Sequence, residues 1–291
     1  SEYSAFQNVT VHLEGIMKIL KEYKDENKLT NSIDATYKPI DWGRIHFKNI
    51  TYTYNSNKES ALSNVSFSIN RGGVYGITGS SGAGKTTLVD IFLGLLRPNN
   101  GGVYFDDNPI DKIENNYWKS IISYVPQHPL IIDDSILSNI IFGDDKKSVD
   151  RLWLNECLEI AQLNDYTSED SLNIEIGDHG KKLSGGQKQR LAIARAFYQK
   201  PEIMILDEAM SAIDSKTTSK ILDTLYNLRN KMTVIMISHE VLSMKNCDEI
   251  FIIENGELIQ ADTYTNLQKK SSIFQELIEK CMHEKPNGSH V

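Results

Sequence analysis

Eight consecutive residues, "GSSGAGKT" from Gly79 to Thr86, combine three glycines with a lysine and hydroxyl groups. Glycines allow successive backbone N–H groups to turn inward around an anion, a lysine supplies positive charge, and a threonine hydroxyl can ligate Mg²⁺. The stretch begins at the end of a predicted buried strand, "VYGITG", and opens a predicted helix, which is the context that a phosphate-binding P-loop requires. We therefore predict a nucleotide phosphate site made by these residues: Gly79, Ser80, Ser81, Gly82, Ala83, Gly84, Lys85, Thr86 and Thr87.

A second candidate is a pair of carboxylates, Asp207 and Glu208, which directly follow the apolar run "IMIL". Such a run predicts a buried strand, and open α/β sheets bind ligands at the carboxyl ends of their strands. One carboxylate can hold Mg²⁺, and the other can polarise a water for attack on a γ-phosphate. The pair alone is a weak signal, and the P-loop makes the catalytic interpretation the favoured one.

A third candidate is the polar stretch "LSGGQKQR", which begins at Leu183 and runs into the helical pattern "LAIARAFY". The N–H groups and positive end of a helix that begins there would attract an anion. The chain therefore contains two candidate phosphate sites, about a hundred residues apart in sequence.

The elements that position these residues follow from hydrophobic periodicity. Alternating apolar residues in "IHFKNITYTY" and "ALSNVSFSI" predict an antiparallel strand pair. The stretch "GGVYFDDNPI" predicts a turn and a strand, and "IISYVPQ" predicts another strand. The apolar runs in "EIMILDEA" and "TVIMISH" predict buried strands of a parallel sheet. The stretch "KTTLVDIFLGLL" predicts a helix, and residues 133–200 have a mostly helical pattern. An α/β core interrupted by a helical insert accounts for this order.

The chain has 291 residues, a formal net charge of −8 and a pI near 5.4. This balance disfavours nucleic acid as the main partner. Its three cysteines form no CxxC pair, which argues against a disulfide framework or a zinc site and favours a reducing cytoplasm. Apolar residues from Phe6 to Leu20 recur at helical spacing, so they predict an amphipathic helix, followed by a polar linker. We expect neither a secretion leader nor a membrane span within these residues.

The motifs "GSSGAGKTT", "VPQ", "LSGGQKQR", "ILDEA", "SAID" and "ISH" stand in the order and approximate spacing of the ATP-binding domain of ABC transporters. The resemblance covers roughly Ile45 to Asn266. It implies an α/β fold with a P-loop NTPase (RecA-like) core, an antiparallel β subdomain and an inserted α-helical subdomain. It also implies that two such domains face each other head to tail, with each ATP between the P-loop of one and the LSGGQ motif of the other. The second phosphate site would then serve the partner's nucleotide.

The resemblance assigns roles residue by residue. Glu208 is the expected general base, His239 contacts the γ-phosphate, Gln127 senses metal and water, and Lys85 binds phosphate. Mg²⁺ is expected on Thr86, Gln127 and Asp207. Tyr54 is expected to stack on adenine, although Tyr52 is an alternative. We call the residues Ser184–Gln187 of the LSGGQ motif the signature turn. The partner's nucleotide is expected to contact the four residues of this turn and one residue of the "SAID" loop: Ser184, Gly185, Gly186, Gln187 and Asp214.

The stretches "SILSNIIFGD" and "IEIGDHGKKLSGGQ" resemble those of exporter-type ABC domains, whose chains carry membrane helices ahead of the ATPase. We expect residues 1–43 to be the cytoplasmic tail of a transmembrane domain, residues 44–270 to be the ATP-binding domain, with a helical subdomain at about 128–200, and residues 271–291 to be a C-terminal helix and tail. The resemblance implies Mg-dependent ATP hydrolysis that drives export at the cytoplasmic face of a membrane, in a bacterium the inner membrane. A homodimer is favoured because the catalytic set is intact, and the competent half of a heterodimer is the alternative.

Other classes are a soluble ABC ATPase acting on DNA or ribosomes, a non-ABC P-loop kinase or GTPase, and a regulatory nucleotide-binding module. The first would need a long coiled-coil insert or a second cassette. The second would make the signature motif an accident, and the third conflicts with the complete catalytic set.

Overall fold

The computed structural model describes residues 41–54, 59–113, 115–144 and 148–283. The predicted N-terminal amphipathic helix and most of the linker after it lie outside the described residues. The tail beyond residue 283 lies outside them as well.

Ten strands form two sheets in the described part of the chain. Their bounds are β1 Arg44–Tyr52, β2 Leu62–Asn70, β3 Val74–Thr78, β4 Asn100–Phe105, β5 Asn108–Pro109, β6 Ile122–Val125, β7 Ile203–Asp207, β8 Thr233–Ile237, β9 Glu249–Glu254 and β10 Glu257–Asp262.

The smaller sheet has the order β2-β1-β4-β5 and is antiparallel throughout. Along β1, Ile45, Phe47 and Ile50 are buried among more exposed neighbours. The alternation at Ile45 and Phe47 is the expected pattern for a sheet with one face against a core, and the register shift between Phe47 and Ile50 accounts for the longer spacing to Ile50. The predicted antiparallel pair β1–β2 is therefore present.

The larger sheet has the order β10-β9-β3-β8-β7-β6, and every pairing from β9 across to β6 is parallel. All five residues of β3 and all five of β8 are buried, because both faces of the sheet are covered. Continuous apolar runs are the sequence signature of such strands. The predicted α/β class, with an antiparallel sheet beside a largely parallel one, is confirmed.

Helices of the described residues cover the larger sheet and fill the stretch between β6 and β7. Their bounds are α1 Lys85–Phe92, α2 Asn115–Ile121, α3 Ile136–Ile141, α4 Arg151–Ile160, α5 Glu169–Leu172, α6 Gly185–Tyr198, α7 Ser215–Asn227, α8 Tyr264–Lys270 and α9 Ser272–His283.

Helix α1 is shorter than the predicted "KTTLVDIFLGLL". It ends at Phe92, and Gly94 adopts φ of 74°. A residue in this left-handed region ends an α-helix, and glycine adopts it without steric penalty.

The helices between β6 and β7 pack on one another through side chains that are almost completely buried. Six of these are Leu137, Ile140, Leu154, Leu158, Ile193 and Phe197. Helix α6 is the centre of this group because it packs against α3, α4 and β6. The start of α6 carries the "SGG" stretch, so this packing fixes where the second candidate anion site lies.

Two strands that we did not predict, β9 and β10, form an antiparallel hairpin. The turn contains Asn255 and Gly256, with φ of 51° and 79°. Asn-Gly between two apolar runs is the strongest short-range hairpin signal, so this element was open to sequence reasoning.

Within the described ranges, none of the helices combines the length and the apolar character that a membrane crossing requires.

Candidate functional site

Five parallel strands bring polar residues to one edge of the larger sheet. In sheet order, Glu254 ends β9, Gly79 follows β3, His239 follows β8, Glu208 follows β7 and Gln127 follows β6. Each strand is a short apolar run, so the residue after it lies at the surface where parallel strands end together. These five residues, which are far apart in sequence, line a single cleft of about 1210 Å³.

The P-loop forms one wall of this cleft. Gly79 has φ of 147°, and a Cβ atom there would overlap the carbonyl oxygen of Ile253 in β9. Gly84 is the N-cap of α1 and provides no side-chain cap. The first amides of a helix have no partner within it, so here they stay available to an anion.

The Lys85 ammonium points back into the P-loop, toward its first residues. Its Nζ donates to the carbonyl oxygens of Gly79 at 2.8 Å and Ser80 at 2.7 Å. Burial lowers the pKa of Lys85, while the carboxylates of Glu208, Glu254 and Asp207 act in the opposite direction. A cation held among loop carbonyls can transfer its bonds to phosphate oxygens when an anion binds.

Glu208 is held between two donors. Its Oε2 accepts a bond from Gln127 Nε2 at 2.6 Å, and its Oε1 is 3.0 Å from His239 Nδ1. The Glu208 side chain is 19% exposed and that of His239 is 53% exposed. Glu208 has φ of 46°, a left-handed conformation that is uncommon outside glycine and is a recurrent feature of functional sites. This carboxylate is thus fixed in orientation while still facing the open cleft.

Asp207 precedes Glu208 and has a different environment. Its Oδ2 accepts a bond from the Tyr124 hydroxyl at 3.0 Å. Burial raises the pKa of Asp207, and the bond from Tyr124 lowers it in part. Burial and the neighbouring Asp207 carboxylate raise the pKa of Tyr124 well above its usual range, so its hydroxyl stays a donor.

Three oxygen donors suited to a hard divalent cation lie at the cleft: the Thr86 hydroxyl, the Gln127 side-chain amide and the Asp207 carboxylate. Mg²⁺ prefers oxygen ligands of this kind and is commonly bound by only one or two protein groups plus phosphates and water. The residues present therefore fit a magnesium ion. The adjacent P-loop with Lys85 fits the phosphates that would share this ion.

Tyr54 also lines the cleft, next to the P-loop. Its hydroxyl lies 3.1 Å from Thr87 Oγ1, which ties the end of β1 to helix α1. Tyr52 packs edge-on against the Tyr54 ring, with centroids 4.9 Å apart. Tyr54 is the tyrosine of this pair that borders the open space.

The "SGG" stretch forms the start of α6. Ser184 is its N-cap: the Ser184 hydroxyl accepts a bond from the Gln187 amide at 3.2 Å, and Gln187 Oε1 accepts from the Ser184 amide at 2.8 Å. A Cβ atom on Gly186 would lie 2.7 Å from the Ala212 carbonyl oxygen. Glycine at this position therefore allows the turn to contact the loop that follows Glu208.

The signature residues lie outside the P-loop cleft. Among the described residues that line the cleft, none belongs to the turn Ser184–Gln187. Gly185 instead borders a separate cleft of about 500 Å³, and Ser184 is exposed. The two candidate anion sites thus lie in separate clefts of the chain.

Asp214 does not line the cleft either. It is the N-cap of α7, where its side chain accepts the Thr217 amide at 3.0 Å. The bond from the Thr217 N–H lowers the pKa of Asp214 below its usual value. Its oxygen atoms are at the surface, as the predicted contact with a second domain requires.

Sequence reasoning did not identify the buried Gln189, which lies in the same "LSGGQKQR" stretch. Gln189 Nε2 donates to Ser211 Oγ at 3.1 Å, and Gln189 Oε1 accepts from the Ala212 amide at 2.9 Å. It therefore links the signature helix to the loop after Glu208. The sequence feature that could have identified Gln189 is the presence of a polar glutamine on the apolar face of a predicted helix.

Sequence reasoning also missed several residues that line the P-loop cleft, among them Glu254 and Cys281. Glu254 follows the apolar run "IFII", the same pattern that indicated Asp207 and Glu208. Cys281 belongs to α9, whose side chains form part of the cleft wall, and its thiol donates to the His239 carbonyl oxygen at 3.3 Å. That contact joins parts of the chain 42 residues apart, so no local pattern reports it.

Comparison with known proteins adds the following. The family model described as ABC transporter matches residues 62–211. A Rickettsia typhi protein named as an export ATP-binding/permease protein is 39% identical over 236 residues, which are 80% of this chain and 41% of that protein. The ATP-dependent lipid A-core flippase of Ralstonia nicotianae is 32% identical over 253 residues, which are 83% of this chain and 43% of the flippase.

A solved structure of a bacterial Atm1-family ABC exporter with ATP bound superposes with a TM-score of 0.78 at 26% identity. The match covers 92% of this chain and 48% of the exporter chain. The chain thus spans less than half the length of the relatives it matches. The matched family model covers slightly more than half of the 291 residues and includes the P-loop, the signature turn and the Asp207–Glu208 pair. On this basis the chain belongs to the ABC transporter family.

Proposed function

We propose that this chain is the nucleotide-binding domain of an ABC exporter, which binds Mg-ATP in the cleft and hydrolyses its γ-phosphate. The single observation that carries the proposal is the arrangement of Glu208. It lies at the P-loop cleft with both carboxylate oxygens held, one by Gln127 and the other by His239. A carboxylate oriented in this way beside a phosphate cradle supports hydrolysis by water.

In the proposed reaction, ATP binds with its base against Tyr54 and its phosphates along the loop from Gly79 to Thr87. Lys85 exchanges its two carbonyl bonds for phosphate oxygens. Thr86, Gln127 and Asp207 would hold Mg²⁺, which would neutralise charge on the phosphates.

Glu208 is the proposed general base. A water between Glu208 and the γ-phosphate transfers a proton to a Glu208 carboxylate oxygen as its own oxygen bonds to phosphorus, and the bond from phosphorus to the ADP oxygen breaks. His239 positions the γ-phosphate. Its bond to Glu208 in the described state must be exchanged for one to phosphate, and its exposed ring is free to make that exchange.

A second copy of the chain completes the site in this proposal. The turn residues Ser184, Gly185, Gly186 and Gln187 lie outside their own chain's cleft, so they are available to the nucleotide of a partner. Asp214 is also exposed, and it follows the Ala212–Ile213 segment that Gly186 approaches. An N-capped helix start adds charge-assisted bonds to a γ-phosphate. Closure of the pair would be stabilised only while that phosphate bridges it, which converts hydrolysis into opening.

The transport function rests on the relatives. Their names describe export and flipping, and this chain matches less than half of each. We propose that residues 44–270 form the ATPase, that residues 1–43 are an amphipathic helix and linker forming the cytoplasmic tail of a transmembrane domain, and that residues 271–291 are a C-terminal helix and tail. The protein would work at the cytoplasmic face of a membrane, in a bacterium the inner membrane. An ATPase acting on DNA or ribosomes gains no support from these relatives.

The test is Mg-ATP binding and hydrolysis by the native chain and by the Lys85→Ala variant. We expect the native chain to bind Mg-ATP and release phosphate, and the variant to lose binding at least tenfold, because charge-assisted bonds to phosphate contribute about 1.5–3 kcal/mol. Lys231→Ala, at an exposed lysine, is the matched control. A native chain that fails to bind Mg-ATP, or equal binding by the Lys85 variant, would overturn the proposal.

A further inference from the structure

The turn of the β9–β10 hairpin lies directly beside the P-loop. Strand β9 pairs in parallel with β3, and Thr78, the last residue of β3, stands opposite Ile252. Both strands therefore end at the same level, with Gly79 on one and Glu254 near the end of the other. The Asn255-Gly256 turn then reverses the chain at the mouth of the cleft.

Glu254 binds the start of the P-loop with both carboxylate oxygens. Its Oε1 accepts the Ser80 backbone N–H at 2.8 Å, and its Oε2 accepts the Ser80 hydroxyl at 2.6 Å. Both distances are those of charge-assisted hydrogen bonds, which are roughly twice as strong as neutral ones. The contact joins residues that are 174 positions apart in sequence.

The same turn also contacts the end of the P-loop. The Gly256 amide donates to the Ala83 carbonyl oxygen at 3.1 Å. A Cβ atom on Gly256 would lie 2.8 Å from the carbonyl oxygen of Ala61, so glycine is what allows the turn to approach this closely. The hairpin turn thus holds Ser80 on one side and Ala83 on the other.

Between these two anchors the loop is closed by one backbone bond, from the Ala83 N–H to the Ser80 carbonyl oxygen at 3.2 Å. Ser81 and Gly82 are exposed, and Gly82 has φ of 78°. A glycine-rich segment loses more conformational entropy on ordering than other segments do. A loop that is already ordered before its ligand arrives avoids that loss at the moment of binding and so binds more tightly.

We propose that Glu254 is a positioning residue which, through Ser80, holds the P-loop open in the shape that receives nucleotide phosphates. The inference rests on the proposed function in taking ATP as the ligand. The length of the Glu254 side chain matters here because it allows the carboxylate to hold both the N–H and the hydroxyl of Ser80. Its charge is not the reason for the role, because a negative charge beside an anion site would by itself oppose phosphate binding.

Three substitutions separate reach from charge. Glu254→Gln keeps the length of the side chain, since its amide oxygen can accept the Ser80 N–H and its NH₂ group can donate to the Ser80 hydroxyl. Glu254→Asp keeps the charge but is one methylene shorter, so it cannot hold both groups. Glu254→Ala removes both bonds. Glu257→Ala, an exposed carboxylate at the other end of the same turn, is the matched control.

The experiment measures the dissociation constant of Mg-ATP by calorimetry for the native chain and these variants. We expect an increase of about tenfold for Glu254→Ala, which loses both hydrogen bonds to Ser80, and about threefold or more for Glu254→Asp, which loses one of them. Glu254→Gln and Glu257→Ala should stay within about twofold of the native chain. Because Glu254→Asp preserves the carboxylate, it keeps the test decisive if the alanine variant fails to fold.

Hydrogen exchange of the P-loop amides without nucleotide gives a second readout that does not depend on ATP. We expect faster exchange at residues 79–84 in Glu254→Ala and native rates in Glu254→Gln, whereas a merely global loss of stability would accelerate exchange throughout the larger sheet. The inference would be overturned if Glu254→Ala and Glu254→Asp both bound Mg-ATP with native affinity. It would also be overturned if Glu254→Gln bound as weakly as Glu254→Ala while Glu254→Asp bound with native affinity, because charge and not side-chain length would then decide the affinity. A native chain that binds no ATP would instead refute the proposed function, and P-loop exchange would still test Glu254.

Discussion

Glu208→Gln separates chemistry from folding because the two side chains have the same shape. In the native chain, Glu208 accepts from Gln127 at 2.6 Å and contacts His239 at 3.0 Å. In the variant, the amide oxygen can keep the bond from Gln127. Its NH₂ group can donate to His239 Nδ1 when the other ring nitrogen carries the proton. Both native contacts therefore keep a partner, and we expect the free energy of unfolding to change by less than about 1 kcal/mol.

The same substitution removes the proposed base. An amide does not accept a proton from water at neutral pH, and loss of a positioned general base lowers the rate by about 10²–10⁴-fold. Affinity for Mg-ATP should be retained, because Gln127, His239 and the P-loop stay in place. The expected loss of rate by about 10²–10⁴-fold corresponds to about 3–5 kcal/mol of lost transition-state stabilisation.

The assay is steady-state phosphate release at saturating Mg-ATP, with calorimetric titration of ATP on the same preparations. Glu257→Gln, which alters an exposed carboxylate outside the cleft, is the matched control and should hydrolyse ATP at the native rate. If Glu208→Gln binds ATP and still hydrolyses it within tenfold of the native rate, Glu208 is not the base.

Three further predictions concern the tyrosine expected to stack on adenine, the turn Ser184–Gln187 and the N-cap of α7. Tyr54→Ala should weaken ATP binding by about 1–3 kcal/mol by calorimetry if the base stacks on its ring; an equal loss in Tyr52→Ala without one in Tyr54→Ala would reverse the assignment. Gly186→Ala should lower the free energy of unfolding in urea by about 1–3 kcal/mol, since its Cβ would lie 2.7 Å from a backbone carbonyl oxygen. Gly185→Ala, whose Cβ would meet a methyl group at 3.4 Å, should cost less, and equal losses would contradict this packing. Asp214→Ala should lower the melting temperature at neutral pH. The pKa of Asp214 is lower in the folded chain than in the unfolded chain, so the difference in melting temperature between native and variant should be full above the unfolded pKa and should vanish as the pH falls through the folded pKa. A difference that grew in acid would contradict the role of Asp214 as an N-cap.

Strand ends were the part of the site most open to sequence reasoning. Short apolar runs followed by Gly79, Glu208 or His239 indicate strands that end at the same edge of a parallel sheet, and the structure places these residues in one cleft. The hairpin that carries Glu254 had a comparable signal in its Asn-Gly turn. The class of fold follows from the same runs because continuous and alternating apolar patterns distinguish the two kinds of sheet.

Contacts across the sheet were not open to such reasoning. Whether Tyr124 reaches Asp207 depends on the register of β6 against β7, in which Tyr124 stands opposite Ile205. The bond from Ser80 to Glu254 requires that β9, rather than another strand, lie beside β3. Neither strand order nor register is encoded in a local pattern, because both result from how all the strands pack together.

The most direct test of the account is the molar mass in solution of the Glu208→Gln variant, measured by light scattering with and without Mg-ATP. If the signature turn of one copy grips the nucleotide in the P-loop of another, Mg-ATP should raise the mass from that of the 32.9 kDa monomer to about twice that value. A bulky residue in place of Ser184 should prevent the rise without weakening ATP binding to the P-loop. A variant that binds Mg-ATP yet keeps the monomer mass at high protein concentration would contradict the claim that a second copy completes the site.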